Sequence, residues 1–324
     1  MSFIQVYPTL RCNQRCGFCF NQTIPAMSSY RDMSADEAFL LADFLVKNGF
    51  REVDVLGGEP MLLPWMKDFI AHIAHKGLII NVSTNGSMPE KIRELADITS
   101  DRMNIGFSLH GLRETHNALT GSDNYAQILR GIEIMLRAEK NPIVKSALTR
   151  ENTDEIPDLA VFLKNLGVTR YYVLHEDTIG RRNASGFSFP EFWKCYLRIK
   201  NDLAGILDIG FVAASAFYKS GGSRGIRCDA GVEKMALLPD GSAFPCNLFF
   251  GFDEFRLGNI FKDEFVEIAG SPVIENLRNF QVNQCRVISC RHHATCTGGC
   301  PAHSYFFHGS VDAPDPRCSL EYQT

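Results

Sequence analysis

Phe3-Ile4-Gln5-Val6-Tyr7-Pro8-Thr9-Leu10-Arg11-Cys12-Asn13-Gln14-Arg15-Cys16-Gly17-Phe18-Cys19-Phe20 runs from a strand-like apolar segment straight into three cysteines. The spacing C-x3-C-x2-C lets one short loop present three thiolates to three corners of a cubane iron–sulfur cluster. A four-iron cluster takes four protein thiolates when it is closed. A loop that stops at three leaves one iron free for a ligand that is not protein. Two plainer readings compete: ordinary buried thiols, or part of a zinc site. Zinc favours C-x2-C pairs with a second pair or histidines later, and the C-x3-C step fits that less well.

Working outward, the first two-thirds of the chain alternates strand and helix signals. Strand-like runs are Phe3–Leu10, Glu52–Leu56, Leu78–Ser83, Met103–Leu109, Ile143–Leu148 and Tyr171–Leu174. Ser34-Ala35-Asp36-Glu37 reads as a capping box, opening a helix with Phe39, Leu40, Phe44 and Leu45 on its apolar side and Gly49 as its stop. Pro64–Lys76, Pro89–Ile98, Tyr125–Lys140, Thr153–Leu166 and Pro190–Leu207 read as further helices. Serial strand–helix units predict parallel strands with right-handed crossovers. The fold class expected is α/β, a partial (β/α)6 TIM-like barrel. Active sites of such sheets lie beyond the C-terminal strand ends. The motifs fall there: Cys12 after the first strand, Gly57-Gly58-Glu59-Pro60 after the second, Ser83-Thr84-Asn85-Gly86 after the third, Ser108-Leu109-His110-Gly111 after the fourth.

The 324 residues are 45% hydrophobic and 22% charged, with 26 Gly and 14 Pro, an ordinary globular composition whose length suits about two domains. A net charge of −4 gives no basic field for nucleic acid or an anionic membrane. The N-terminus lacks a basic region and a long apolar core, and no apolar run is long enough to span a bilayer. A cytoplasmic location is the default, and eleven cysteines there are reduced thiols that ask for metal.

With these residues the chain resembles the radical S-adenosylmethionine (SAM) enzymes. The resemblance implies that SAM binds the open iron through its amino and carboxylate groups. An electron from the cluster then cleaves SAM to methionine and a 5′-deoxyadenosyl radical, which takes a hydrogen atom from substrate. It also implies that Gly57, Gly58 and Glu59, with Pro60, approach the SAM ammonium, and that Asn85, Ser108 and Ser83 line the SAM pocket. Ser83 alternatively only ends its strand. Relatives with Ser-Leu-Asp-Gly place an arginine downstream for the SAM carboxylate. Here Thr120 stands in that place and His110 replaces the aspartate. Arg113, Lys145 and Arg181 are candidate replacements, and His110 is a substrate contact or a solvated loop residue.

From Cys228 the pattern changes. Asp240-Gly241 between apolar runs reads as a hairpin turn presenting Cys228 and Cys246 from neighbouring strands. Cys285, Cys290, Cys296, Cys300 and Cys318 follow, with Gly298-Gly299 between two thiols. This block resembles the SPASM extension, which holds auxiliary four-iron clusters. The resemblance assigns Cys285, Cys290, Cys296 and Cys318 to an outer cluster, with Cys285 replacing a cysteine expected at Val287. Cys228, Cys246 and Cys300 go to an inner one. The inner site lacks a fourth cysteine, since Gly221-Gly222-Ser223 fills the preceding stretch. His292 and His293 are alternative ligands or exposed loop residues. A zinc ribbon is the competing reading.

The expected organisation is a core at 1–215 and an auxiliary-cluster domain at 216–324. The expected cofactors are three [4Fe-4S] clusters and SAM, with flavodoxin or ferredoxin as electron donor. Cys195 reads as a core thiol or as a hydrogen-atom donor for epimerisation. SPASM-bearing relatives often modify ribosomal peptides or proteins. The first strand begins near Met1, so the N-terminal leader-recognition domain of many peptide maturases is expected to be absent. Substrates are therefore a peptide or protein to be oxidised, cross-linked or epimerised, or else a sugar, amino sugar or other small metabolite. A multi-cluster electron carrier is the non-enzymatic alternative.

Overall fold

Alternation along the strands decides which face each residue takes. In β1 (Phe3–Val6), β2 (Glu52–Val55) and β3 (Ile79–Thr84), Ile4, Val6, Val53, Val55, Ile80 and Val82 are buried, while Gln5, Asp54 and Asn81 point the other way. The computed structural model describes residues 1–23, 29–179, 186–214, 228–280 and 298–318. The strands continue as β4 (Met103–Ser108), β5 (Ile143–Leu148), β6 (Arg170–His175), β7 (Ile209–Val212), β8 (Lys234–Leu237), β9 (Ser242–Phe244) and β10 (Gly258–Asn259). All join one sheet in the order β10-β9-β8-β1-β2-β3-β4-β5-β6-β7. β1 to β7 are parallel throughout, and β8 adds parallel to the outer side of β1.

The helices are α1 (Ala35–Lys47), α2 (Met66–His75), α3 (Pro89–Ala96), α4 (Arg113–Thr120), α5 (Tyr125–Arg137), α6 (Ile156–Leu166), α7 (Phe189–Asp202), α8 (Phe265–Ala269), α9 (Pro272–Phe280) and α10 (Pro301–His308). The crossover helices bury their apolar stripes on the Ile4–Val53–Ile80 face. Each large side chain buried there contributes roughly 1.5–3 kcal/mol. The opposite face becomes the inside of an open barrel.

The Ser34–Glu37 capping box forms as expected. The buried stripe of α1 is turned from the expected one: Ala38, Leu41, Ala42 and Leu45 are buried, and Leu40 is 60% exposed. Phe39 packs edge-on to His72 and Phe44 to Phe265 at the margins of that stripe. The six expected strand–helix units are present, and β7 follows as a seventh strand. The Asp240-Gly241 turn forms, with Gly241 at φ +83° and its N–H donating to Leu238 O at 3.0 Å.

The inner face is polar. Gln5, Asp54, Asn81 and Asn104 stand in register on four adjacent strands. Asn81 Nδ2 donates to Glu52 Oε1 (2.6 Å) and Asp54 Oδ1 (2.7 Å), and Asn81 Oδ1 accepts from Asn104 Nδ2 (2.9 Å). Arg170 Nη1 completes the row on Asn104 Oδ1 at 2.8 Å. Neutral amides thus bridge carboxylates on one side and a guanidinium on the other. Above this floor, Lys145 Nζ reaches Ser83 Oγ at 3.0 Å. It passes over Gly106, where a Cβ would lie 3.0 Å from Lys145 Cε.

Candidate active site at the strand ends

The Cys12–Cys19 loop is fastened by backbone on two sides. Arg15 N donates to Thr120 O (3.0 Å) and Gly17 N to Leu119 O (3.1 Å), docking the loop on the C-terminal end of α4. Gly121 takes φ +60° there, and a Cβ on it would meet Arg15 O at 3.2 Å. On the other side Gly58 N donates to Thr9 O (2.9 Å) and Glu59 N to Arg11 O (2.8 Å). A Cβ on Gly58 would lie 1.9 Å from Arg11 O, and one on Gly57, at φ +132°, would lie 2.5 Å from Thr9 O. The close approach that this glycine pair permits is therefore first of all to the chain's own cluster loop.

Glu59 is buried, and its carboxylate accepts from Met61 N (2.9 Å), Thr84 Oγ1 (2.8 Å) and Asn85 N (2.7 Å). It braces the end of β2 against the end of β3, and Pro60 opens the short 3-10 turn that it caps. Burial pushes Glu59 up to about 7 against those three hydrogen bonds. Asn85 ties the loop to β3. Its Nδ2 donates to Asn13 Oδ1 at 2.8 Å and lies 3.8 Å from Cys12 Sγ, and its backbone O accepts from Asn124. Ser83 receives Lys145. Ser108 is half-buried on the inner face, in register with Lys145.

Thr120 is buried and donates to His116 O, so it presents no charge to a ligand. His110 is buried. Its Nδ1 accepts from Ala147 N (3.1 Å), leaving the proton of the neutral ring on Nε2, and Phe18 of the cluster loop packs edge-on at 4.6 Å. Burial pushes it down to about 3. Of the candidate cations, Arg113 stacks 5.2 Å from the Tyr125 ring centre and Lys145 lies on the inner face; Arg181 lies outside the described residues.

Three observations fit an iron–sulfur cluster to the loop. Cys12 is exposed and Cys16 and Cys19 are half-buried on the one loop. Burial pushes Cys16 up to about 12, and Cys19 and then Cys12 add to this, so the thiols sit within each other's field and need a cation to ionise together. The amide nitrogen Nε2 of Gln14 is buried without a hydrogen-bond partner beside them. Among the described residues, no three Cys, His, Asp or Glu side chains converge closely enough for a single metal ion.

Cys246 and Cys300 are buried in the second core and Cys228 packs against it. Burial pushes Cys246 up to about 11, and Cys228 adds to this. Cys300 is likewise raised by burial, and Cys228 and Cys246 act on it in the same sense. These thiols therefore lie within each other's electrostatic reach, without closing to the spacing of a single metal ion. Cys318 N donates to Asp315 O. Cys285, Cys290, Cys296, His292, His293 and Gly221-Gly222-Ser223 lie outside the described residues. Cys195 sits on α7, packed on the helix-facing core rather than at the strand ends.

Sequence reasoning missed a buried ionic clamp. Arg317 Nε and Nη2 donate to Asp315 (3.0 and 2.8 Å), and Nη1 donates to Asp177 Oδ1 (3.2 Å) and Glu176 O (3.1 Å) after β6. Asp315 Oδ2 in turn accepts from Cys300 N at 2.8 Å. Burial alone would raise Asp315, but the Arg317 guanidinium overrides it and holds the carboxyl well below its usual range. No short spacing announces such a clamp. Tyr7 links the two thiol sites more directly. Its ring packs edge-on to Phe20, next to Cys19, and to Phe250, while its hydroxyl accepts from Asn247, next to Cys246.

A radical SAM superfamily profile matches residues 6–172, and an iron–sulfur cluster-binding (SPASM) profile matches 228–297. The chain belongs to the radical SAM superfamily and carries a SPASM domain. It is 26% identical over 310 residues to the antilisterial bacteriocin subtilosin biosynthesis protein AlbA of Bacillus subtilis, covering 90% of this chain and 65% of AlbA. It is 26% identical to the mycofactocin maturase MftC of Mycobacterium ulcerans, covering 97% of this chain and 86% of MftC. Streptococcus suis SuiB, solved with its precursor peptide SuiA, shares the fold at a TM-score of 0.82 and 17% identity, over 98% of this chain and 76% of SuiB. No helix among the described residues is long and apolar enough to cross a membrane.

Proposed function

We propose that this protein is a cytoplasmic radical SAM enzyme that oxidises, cross-links or epimerises a ribosomally made peptide or protein. The observation that carries the reading is the three-cysteine loop, pinned at the barrel mouth by Gly57–Glu59, Asn85 and the end of α4. A four-iron cluster and SAM bound there supply reductive cleavage to a 5′-deoxyadenosyl radical, which takes a hydrogen atom from substrate. Cys12, Cys16 and Cys19 hold the iron. Glu59 positions the ends of β2 and β3, so that Asn85, Ser83 and Ser108 face the same space. Cys228, Cys246 and Cys300 serve an inner auxiliary cluster, and Cys285, Cys290, Cys296 and Cys318 an outer one. Residues 1–215 form the catalytic core and 216–324 the auxiliary domain, with flavodoxin or ferredoxin as donor.

Support for a peptide comes from SuiB, solved with a precursor peptide, and from two biosynthetic relatives that align along nearly the whole chain. A small polar metabolite is the second reading. The charged inner face of Glu52, Asp54, Lys145 and Arg170 favours it. After anaerobic reconstitution, the expected result is 5′-deoxyadenosine formation from SAM and dithionite. Iron-loaded protein that forms none would leave an electron carrier as the better description. Deuterium transfer into 5′-deoxyadenosine from labelled candidate peptides or metabolites then separates the two substrate readings.

A further inference from the structure

The hairpin of β8 and β9 carries a charge that the site described above does not use. Ala236 lies opposite Phe244 and Leu237 opposite Ala243. Lys234 lies two residues before Ala236 and so shares its face of β8, and Ala236 packs in the same core as Cys246. The loop before β8 brings Lys234 toward Cys228 as well. Asp229 O accepts from Val232 N (3.1 Å), Glu233 N (3.0 Å) and Lys234 N (3.2 Å), folding the chain back on itself. Gly231 N donates both to Lys234 O (2.9 Å) and to Pro245 O (3.1 Å), fixing that loop beside Cys246.

Tyr7, Leu10, Phe244, Phe249 and Phe250 wall these thiols, and the Asp315–Arg317 clamp closes the Cys300 side. Among the described residues Lys234 forms no ion pair, and the carboxylates that feel its charge, Asp229, Asp177 and Asp54, stand further off. A cation so placed is costly unless a negative group joins it. We propose that Lys234 is the counter-charge of the metal site formed by Cys228, Cys246 and Cys300, and that it raises the reduction potential of that site. The inference rests on those cysteines being cluster ligands. A nearby positive charge favours the reduced, more negative state of a cluster, because net charge and surroundings set its potential.

The test uses the full chain with Cys12, Cys16 and Cys19 all replaced by alanine, so that only C-terminal iron remains. Iron and sulfide analysis comes first; absence of C-terminal iron there refutes the ligand reading, not the lysine. Potentials are then read by EPR-monitored titration in this background and with Lys234→Met or Lys234→Arg added. Lys234→Met is expected to make one auxiliary signal about tenfold harder to reduce, a shift of about 59 mV for one electron. The other signal should stay in place and Lys234→Arg should remain near the parent value. Equal potentials in the parent and Lys234→Met overturn the proposal. So does loss of auxiliary iron from both variants, which would make the lysine structural. Iron lost from Lys234→Met but kept in Lys234→Arg supports the counter-charge.

Discussion

Cys12, Cys16 and Cys19 come from one loop, lie partly open, and are held by backbone hydrogen bonds to strand and helix ends. Cys228, Cys246 and Cys300 come from separate segments, sit in an apolar pocket, and depend on a buried ionic clamp and a hairpin. The first trio is defined by spacing within one loop, with Cys12 exposed. The second exists only once distant parts of the chain have packed. Chemistry at the mouth should therefore respond to single local changes, and the auxiliary site should respond to changes in fold stability.

Cys16→Ala breaks the comparison most sharply. It should abolish 5′-deoxyadenosine formation while iron bound by the C-terminal block remains, measured by product assay and metal analysis of the same preparation. Arg317→Ala should act on the other side. It leaves buried Asp315 without its cation, which costs about 3–5 kcal/mol, and chemical denaturation should report the loss along with release of auxiliary iron. Gly58→Ala forces the cluster loop away from Arg11 O. We expect about 1–3 kcal/mol of destabilisation and reduced N-terminal iron with the C-terminal iron intact. The smallest effect is expected at α1, outside both sites. The Arg31 guanidinium and the Ser34 N-cap hold Glu37 down at about 2, below its unfolded value. Its contribution is present above the ordinary carboxylate range and is lost as pH falls toward 2. Glu37→Gln should remove about 1 kcal/mol at neutral pH and flatten that acid limb in unfolding curves, with both iron sites unaffected.

The same contrast explains what could be read in advance. The strand–helix alternation, the capping box at Ser34 and the placing of motifs at strand ends are local signals, and the structure has them. β7 was not legible because Ile209-Gly210-Phe211-Val212 is short and carries little polar alternation. The stripe of α1 was misjudged at Leu40 because two aromatic residues, Phe39 and Phe44, pulled the expected face toward themselves. The resemblance sets Gly57 and Gly58 against the SAM ammonium, whereas the backbone they approach in the structure, at Thr9 and Arg11, is visible only in three dimensions. Arg317 lies among prolines at the end of the chain, with no periodicity to mark it. Lys145 stands in the sequence as one of three candidate cations, and only the structure gives it Ser83 as a partner.

The pairing of β8 with β1 sets Phe3 beside Lys234. β1 is thus an interior strand, and it must wait for β8, far later in the chain, before its second neighbour exists. Contacts so remote in sequence slow the search for the native state. Until Lys234 has been synthesised, the strand feeding the reactive loop has one bare edge, and a nascent chain in that condition is a natural client for a chaperone.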